Sequence, residues 1–320
     1  MSRIVIAGVD GSAPSLAAAD WAAREALLRG LPLKLLHALE DWAPLSGYDP
    51  MTGVVIAPSG VTTPKYWAER ILGEVSERLR GRHPGLEIST EEANGRPLEV
   101  LHAAAKEAEV LALGSRRLGA LSGFVVGSVS MSVLAGAERP VVLVRAGEQA
   151  EDEYQAAPSG SGPQVGTYRD VVLGLDLARP CDELLAYAFD AAASRGAALR
   201  VVHGWTLPPA FAYVPATLDP VHSAGPAAFD PVYSADLAAR ETEALADALR
   251  PWRGKFPGVG VKEQCVVGQA GDHLADASTD ASLVVVGRRV RRSAIGFHIG
   301  PVAHAVLHHA AAPVAVVPHR

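Results

Sequence analysis

The stretch VLALGSRRLGALSGFVVGSV, residues 110–129, decides how the chain is read. Its first four residues, Val110, Leu111, Ala112 and Leu113, are wholly apolar, the composition of a strand buried in a parallel sheet. Gly114 and Ser115 are expected to end that strand. A polar turn punctuated by glycine follows, and Gly127-Ser128 opens a second periodic segment carrying Val129, Val133 and Leu134. A strand that runs through small residues into a helix start leaves backbone N–H groups aimed at one spot. The unpaired donors and positive dipole end of the first helical turn suit that spot to phosphate. Glycines there allow close approach of a ligand.

The flanking segments repeat one alternation. Residues 4–9 are apolar and end in Asp10-Gly11-Ser12. Pro14 suits a first helical turn, and Leu16, Ala19, Ala23 and Leu27 keep helical spacing up to Gly30. Residues 33–39 read as a strand with His37 and Ala38 near its end. The segment 42–63 is rich in Gly and Pro and too long for a simple connection, as expected of a lid or a partner contact. A helix over 66–80, a strand over 86–92 and a helix over 98–108 precede the quoted stretch. Pro140 then leads into the strand 141–144. This order predicts a doubly wound α/β unit, whose right-handed crossovers gather the turns at Asp10, Ala38 and Gly114 on one edge.

The pattern then starts again. Asp10 and Asp176, like His37 and His203, stand 166 positions apart; Gly95 and Gly268, Gly114 and Gly287, Gly127 and Gly300, and Pro140 and Pro313 stand 173 apart. The step places seven net extra residues between His203 and Gly268, most simply in the Pro-rich segment 208–231. Constant offsets over several landmarks mark a duplication. The expected organisation is a first domain over 1–146, a flexible acidic and then Pro/Gly/Ser-rich linker over 147–167, and a second domain over 168–320.

Composition bounds the function classes. The 320 residues carry a formal charge of −6, which argues against general nucleic-acid binding. No uninterrupted apolar run reaches the ~18 residues a membrane span requires, and no export signal precedes the first strand. Two cysteines, Cys181 and Cys265, are too few for a disulfide scaffold. The expectation is a soluble cytoplasmic protein without a membrane partner.

Gly114, Arg117, Gly127 and Ser128 resemble the nucleotide-binding loop of the universal stress protein family, ATP-binding branch. Its pattern is Gly, two residues, Gly, nine residues, Gly, then Ser or Thr. Arg117 stands where the pattern has glycine. The resemblance covers nearly the whole chain outside the linker. It implies two similar doubly wound domains, each a five-stranded parallel sheet flanked by helices, meeting through the last strands, 141–144 and 314–317. It also implies ATP as ligand, with Mg2+ and a homodimer left open. Asp10 is then at the adenosine end, the backbone near Ala38 borders the adenine, Gly114 lies near the ribose and triphosphate, and Gly127 and Ser128 hold phosphate.

Local chemistry leaves alternatives at each position. Asp10 or Ser12 equally serves as a cap for the following helix, and Ser128 as a simple N-cap. Arg117 strains the loop if a glycine φ is needed there; with compatible backbone its guanidinium, or that of Arg116, can meet phosphate. In the second half Asp176, Gly287 and Gly300 remain, but Val290 takes the second motif position and Pro301 replaces Ser or Thr, supplying neither hydroxyl nor N–H. Arg288, Arg289, Arg291 and Arg292 replace lost phosphate donors, bind another anion, or form a solvated loop. The expectation is unequal sites, the first tighter. His304 and His308 read as surface or interface residues. The leading function is an adenine-nucleotide-binding regulatory protein of a stress response acting on an unknown regulatory partner. The alternatives are a weak ATPase, phosphoryl transfer to Ser115 or Ser128, or a nucleotide-independent scaffold.

Overall fold

The computed structural model describes residues 3–40, 47–48, 55–56, 64–117, 124–125, 127–155, 166–206, 231–290 and 299–320. In the first half the order is β1 (Val5–Gly8), α1 (Ala13–Arg29), β2 (Leu33–Leu39), β3 (Gly47–Tyr48), β4 (Val55–Ile56), α2 (Pro64–Arg82), β5 (Ile88–Asn94), α3 (Pro97–Glu107), β6 (Val110–Arg117), β7 (Phe124–Val125), α4 (Ser128–Gly136) and β8 (Val141–Arg145). The second half gives β9 (Asp170–Gly174), α5 (Asp182–Arg195), β10 (Leu199–Trp205), α6 (Pro231–Lys255), β11 (Val261–Val267), α7 (Ala270–Ala277), β12 (Ala281–Arg289), α8 (Pro301–His309) and β13 (Val314–His319). The Pro-rich segment 208–230, Arg291, Arg292, His298 and most of 42–63 lie outside the described residues, as does the expected lid.

Each half orders its parallel strands alike: β5-β2-β1-β6-β8 in the first, β11-β10-β9-β12-β13 in the second. The two sheets are continuous, because β8 and β13 pair antiparallel with Val142 opposite Ala315 and Val141 opposite Val316. Both seam strands are apolar, and Val141, Val142, Leu143, Val314, Ala315 and Val316 are all buried. Left as open edges, two such strands would expose apolar surface and unpaired backbone; burying each large aliphatic side chain contributes roughly 1.5–3 kcal/mol.

Helices cover both faces. Side chains alternate along β1, so Val5 and Ala7 join one core with α1 and α2, while Ile6 joins the other with α3 and α4. Helix α1 starts where Ser12 accepts a hydrogen bond from the Ser15 amide and stops at Gly30, in the left-handed region at φ 62°. Gly196 closes α5 in the same way at φ 59°.

Helices α1 and α5 also join the halves. Glu25 of α1 is fully buried and bonds both Arg29 of its own helix and Arg195 of α5, each at 2.6 Å. Arg29 also reaches Asp190 at 2.5 Å. Arg29 and Arg195 are repeat equivalents, whereas the equivalent of Glu25 is Ala191, so one acid serves two arginines. Although burial opposes ionisation, the two guanidinium groups hold the Glu25 carboxyl below its ordinary pKa.

The acidic stretch expected as a flexible linker is built into the molecule at both ends; residues 156–165 lie outside the described residues. Ala150–Glu153 forms a 3-10 turn with a reciprocal Gln149–Asp152 cap, and Tyr154 pairs with Tyr168. Glu153 is 1% exposed and bonds Arg24 of α1 at 2.6 Å. Glu148 is buried nearby, its Oε1 without a hydrogen-bond partner among the described residues. The acidic composition that suggested solvation instead includes one carboxylate, Glu153, paired with α1, and a second buried one, Glu148.

Candidate functional site

A cleft of about 240 Å³ lies at the carboxyl ends of β1 and β2 and beside the middle of β6, lined among others by Asp10, Ser12, His37, Ala38, Gly114 and Ser130. Helix α1 leaves toward one face here and α3 and α4 pack on the other, the switch point at which open α/β sheets bind ligands. Asp10, Ala38 and Gly114, far apart in sequence, therefore meet in one space.

Two of them also do structural work. Asp10 accepts from the Ser12 amide at 2.9 Å and the Ser12 hydroxyl at 2.5 Å. Partial burial pushes its pKa up, but those hydrogen bonds outweigh it and keep the carboxyl below its ordinary range. Asp10 thus fixes Ser12, and Ser12 caps α1. At Gly114, a Cβ would stand 2.4 Å from the Pro14 carbonyl carbon and 2.6 Å from the Ser15 amide nitrogen, so the first turn of α1 rests directly on the strand. His37 Nδ1 lies 2.7 Å from the Val9 carbonyl and donates to it, tying β2 to the end of β1. His203 repeats this to Leu175 at 2.9 Å.

The motif loop differs from expectation. Gly114 and Ser115 do not end β6: they pair with Val144 and Arg145 of β8, and the strand runs on to Arg117, which pairs with Phe124 of β7. Arg117 therefore takes extended backbone, and no described residue other than glycine has a positive φ; the strained-loop alternative falls away. Ser115 is 1% exposed and its hydroxyl donates to the Val144 carbonyl, so it is removed as a phosphoryl acceptor. Gly127 caps α4 from extended backbone (φ −61°, ψ 152°) and Ser128 is exposed. Neither is among the residues lining the cleft; Val129 and Ser130 of the same turn are. Ser130, whose hydroxyl donates to the Gly114 carbonyl at 3.3 Å, escaped the sequence reading. Its place in the first helical turn, two residues past Ser128, was the available signal.

The second half is walled differently. Asp176 makes its own turn, accepting from Ala178 at 3.0 Å, but α5 begins at Asp182 rather than at position 179, where the repeat would start it. The backbone of the α5 start consequently does not rest on Gly287, whose missing Cβ faces the side chains of His319 and Leu184 instead. Gly300 caps α8, with Pro301 in the first turn. Arg288 is neither a solvated loop residue nor a phosphate ligand: it is 3% exposed and donates to the carbonyl of Ala137 in the first half. The rings of His304 and His308 meet at a tilt of 44° with centroids 4.4 Å apart. Among the described residues no group of three or more His, Cys, Asp or Glu is arranged to hold a metal, and no helix is long and apolar enough to cross a membrane.

Fold and cleft together define a tandem α/β protein whose two halves carry corresponding strand-end turns. Residues 1–145 and 167–318 match the universal stress protein family, and the chain belongs to it. It is 31% identical over 318 residues to the universal stress protein Rv2005c of Mycobacterium tuberculosis, covering 98% of this chain and 96% of that protein. A universal stress protein of Mycolicibacterium smegmatis is 29% identical over 317 residues, again covering 98% and 96%. Among solved structures, a universal stress protein from Archaeoglobus fulgidus covers 99% of both chains with a TM-score of 0.63 at 16% identity, a likeness of fold.

Proposed function

We propose that the first half binds an adenine nucleotide, ATP foremost, and that the bound nucleotide biases contacts with a regulatory partner in a stress response. The observation that carries this reading is the convergence of Asp10, Ala38 and Gly114 with the first turn of α4 on one cleft. In this reading Asp10 and His37 serve the nucleoside end and Ala38 borders the base. The amides at the start of α4, from Gly127 to Ser130, with the Ser128 hydroxyl, receive the phosphates. A Mg2+ ion accompanying the nucleotide would take its ligands from phosphate oxygens and water. The altered wall around Gly287 and the proline at the start of α8 support a weaker second site. Selective binding to the native state stabilises it, by about 2.7 kcal/mol at a hundredfold excess over Kd.

The test is nucleotide counted per chain by mass spectrometry on gently purified protein. About one equivalent is expected. Two equivalents overturn the unequal sites, and an empty chain at high ATP overturns the reading altogether. Gly127→Glu is the matching variant. Among the described residues a Cβ at this position meets nothing within 4 Å, so the chain is expected to fold while a carboxylate occupies the phosphate end. Nucleotide binding should fall at least about tenfold through like-charge repulsion.

A further inference from the structure

Arg288 lines no part of the first-half cleft. It is the penultimate residue of β12, next to Gly287, and is almost fully buried. Its guanidinium reaches into the first half and donates to the carbonyl of Ala137, the residue that ends α4. Among the described residues Nε has no hydrogen-bond partner, and burial alone lowers the pKa, with no charged neighbour contributing.

A buried cation without a counter-charge is costly. Here the carbonyl of Ala137, the residue that caps α4, faces the guanidinium at the negative end of the helix dipole. A cation at such an end contributes roughly 0.3–1 kcal/mol when exposed and up to about 2 kcal/mol when partly buried. The arrangement is one-sided. The repeat equivalent of Arg288 is Ser115, which bonds Val144 of its own half.

Helix α4 has nine residues, so it is about 14 Å long at roughly 1.5 Å per residue. Its first turn brings Val129 and Ser130 to the cleft, and its far end meets Arg288. Because β8 and β13 run antiparallel, that far end lies at the carboxyl edge of the second half's strands. β7, two residues before Gly127, also packs on α8. One short rod therefore joins the two edges where ligands are expected.

We propose that Arg288 is a positioning residue for the first-half site: by holding the carboxyl end of α4, it sets the helix whose amino end receives phosphate. The second half thereby tunes phosphate affinity in the first. This rests on the nucleotide reading of the cleft. It distinguishes phosphate from nucleoside, since only the phosphate end depends on α4.

The experiment compares full-length wild type, Arg288→Met and Arg288→Lys for affinity toward ATP and toward adenosine, with amide hydrogen exchange over α4 in the ligand-free proteins. Arg288→Met should weaken ATP binding about five- to thirtyfold while changing adenosine affinity less than about twofold. It should speed exchange in α4, and Arg288→Lys should recover most of both effects. Arg288→Gln, a neutral donor, replaces the methionine variant if that one does not fold, with the same split expected. Equal losses for ATP and adenosine, or unchanged α4 exchange with intact ATP binding by wild type, overturn the positioning role alone. A wild type that binds neither ligand overturns the nucleotide reading, and the phosphate effect with it.

Discussion

At Gly114 a single hydrogen atom in place of a methyl group lets α1 rest against β6. Gly114→Ala puts a carbon 2.4 to 2.6 Å from the backbone of Pro14 and Ser15, so the helix start must move. Overpacking of this kind costs roughly 1–3 kcal/mol, measurable by urea unfolding. The same shift should disturb the Asp10–Ser12 turn and weaken nucleotide binding; an alanine variant with unchanged stability and affinity would contradict both. The sequence shows that a small residue matters here, but not that a helix, rather than a ligand, makes the close approach. Glu148 is a second case. Burial first, then the neighbouring carboxylates of Glu153 and Asp152, push its pKa up to about 8 from an ordinary 4.5. Between those values the folded chain binds the proton that the unfolded chain has lost, so stability falls as pH rises, by at most about 1.4 kcal/mol per pH unit. Below the window its contribution is fully present, and above it the slope from this group vanishes. Glu148→Gln should flatten the decline between pH 5 and pH 8 in urea midpoints, and an unaltered slope would refute the assignment. Nothing in GEQAEDE distinguishes a buried glutamate from its solvated neighbours, because Glu148 shares its surroundings with Ser278, Ala281 and Ala311, more than a hundred residues later.

At the scale of elements, most helices and strands follow from local pattern: Pro14, Pro97 and Pro301 sit in first turns, Gly30 closes α1, and apolar runs become central strands. The misread element is β6, where glycine, serine and two arginines suggest a turn. Pairing with β8 and then β7 carries the strand through them, a tertiary effect overriding local propensity. The α1–α5 contact is equally hidden, since Glu25 and Arg29 look like an ordinary solvated i, i+4 pair. Their burial against Arg195 makes them something else. Removing one partner of a buried ionic cluster typically costs about 3–5 kcal/mol because the remaining charges stay buried. Glu25→Ala should therefore destabilise the chain by that order in denaturant titrations. The duplication supplies a sharper check, because Ala191 is the repeat equivalent of Glu25. Moving the acid across, as Glu25→Ala with Ala191→Glu, should recover at least half of the loss. If it recovers none, the pairing of Arg29 with Arg195 is not related by the repeat.

For the whole molecule, the duplication was legible because landmarks at fixed offsets survive divergence. Joining the copies through the last strands came from family resemblance and agrees with the observed pairing of β8 and β13. The inequality of the two sites was only partly legible. Val290 and Pro301 signal a changed motif, but the delayed start of α5 and the crossing of Arg288 into the first half arise from packing that no spacing encodes. These differences underlie the expectation of one nucleotide per chain rather than two. The antiparallel join has a further geometric result. Strand polarity reverses midway across the sheet, so the first half's cleft and the second half's corresponding strand ends face opposite rims. A partner that covers the first half's cleft leaves the carboxyl ends of the second half's strands uncovered, at the opposite pole of the chain.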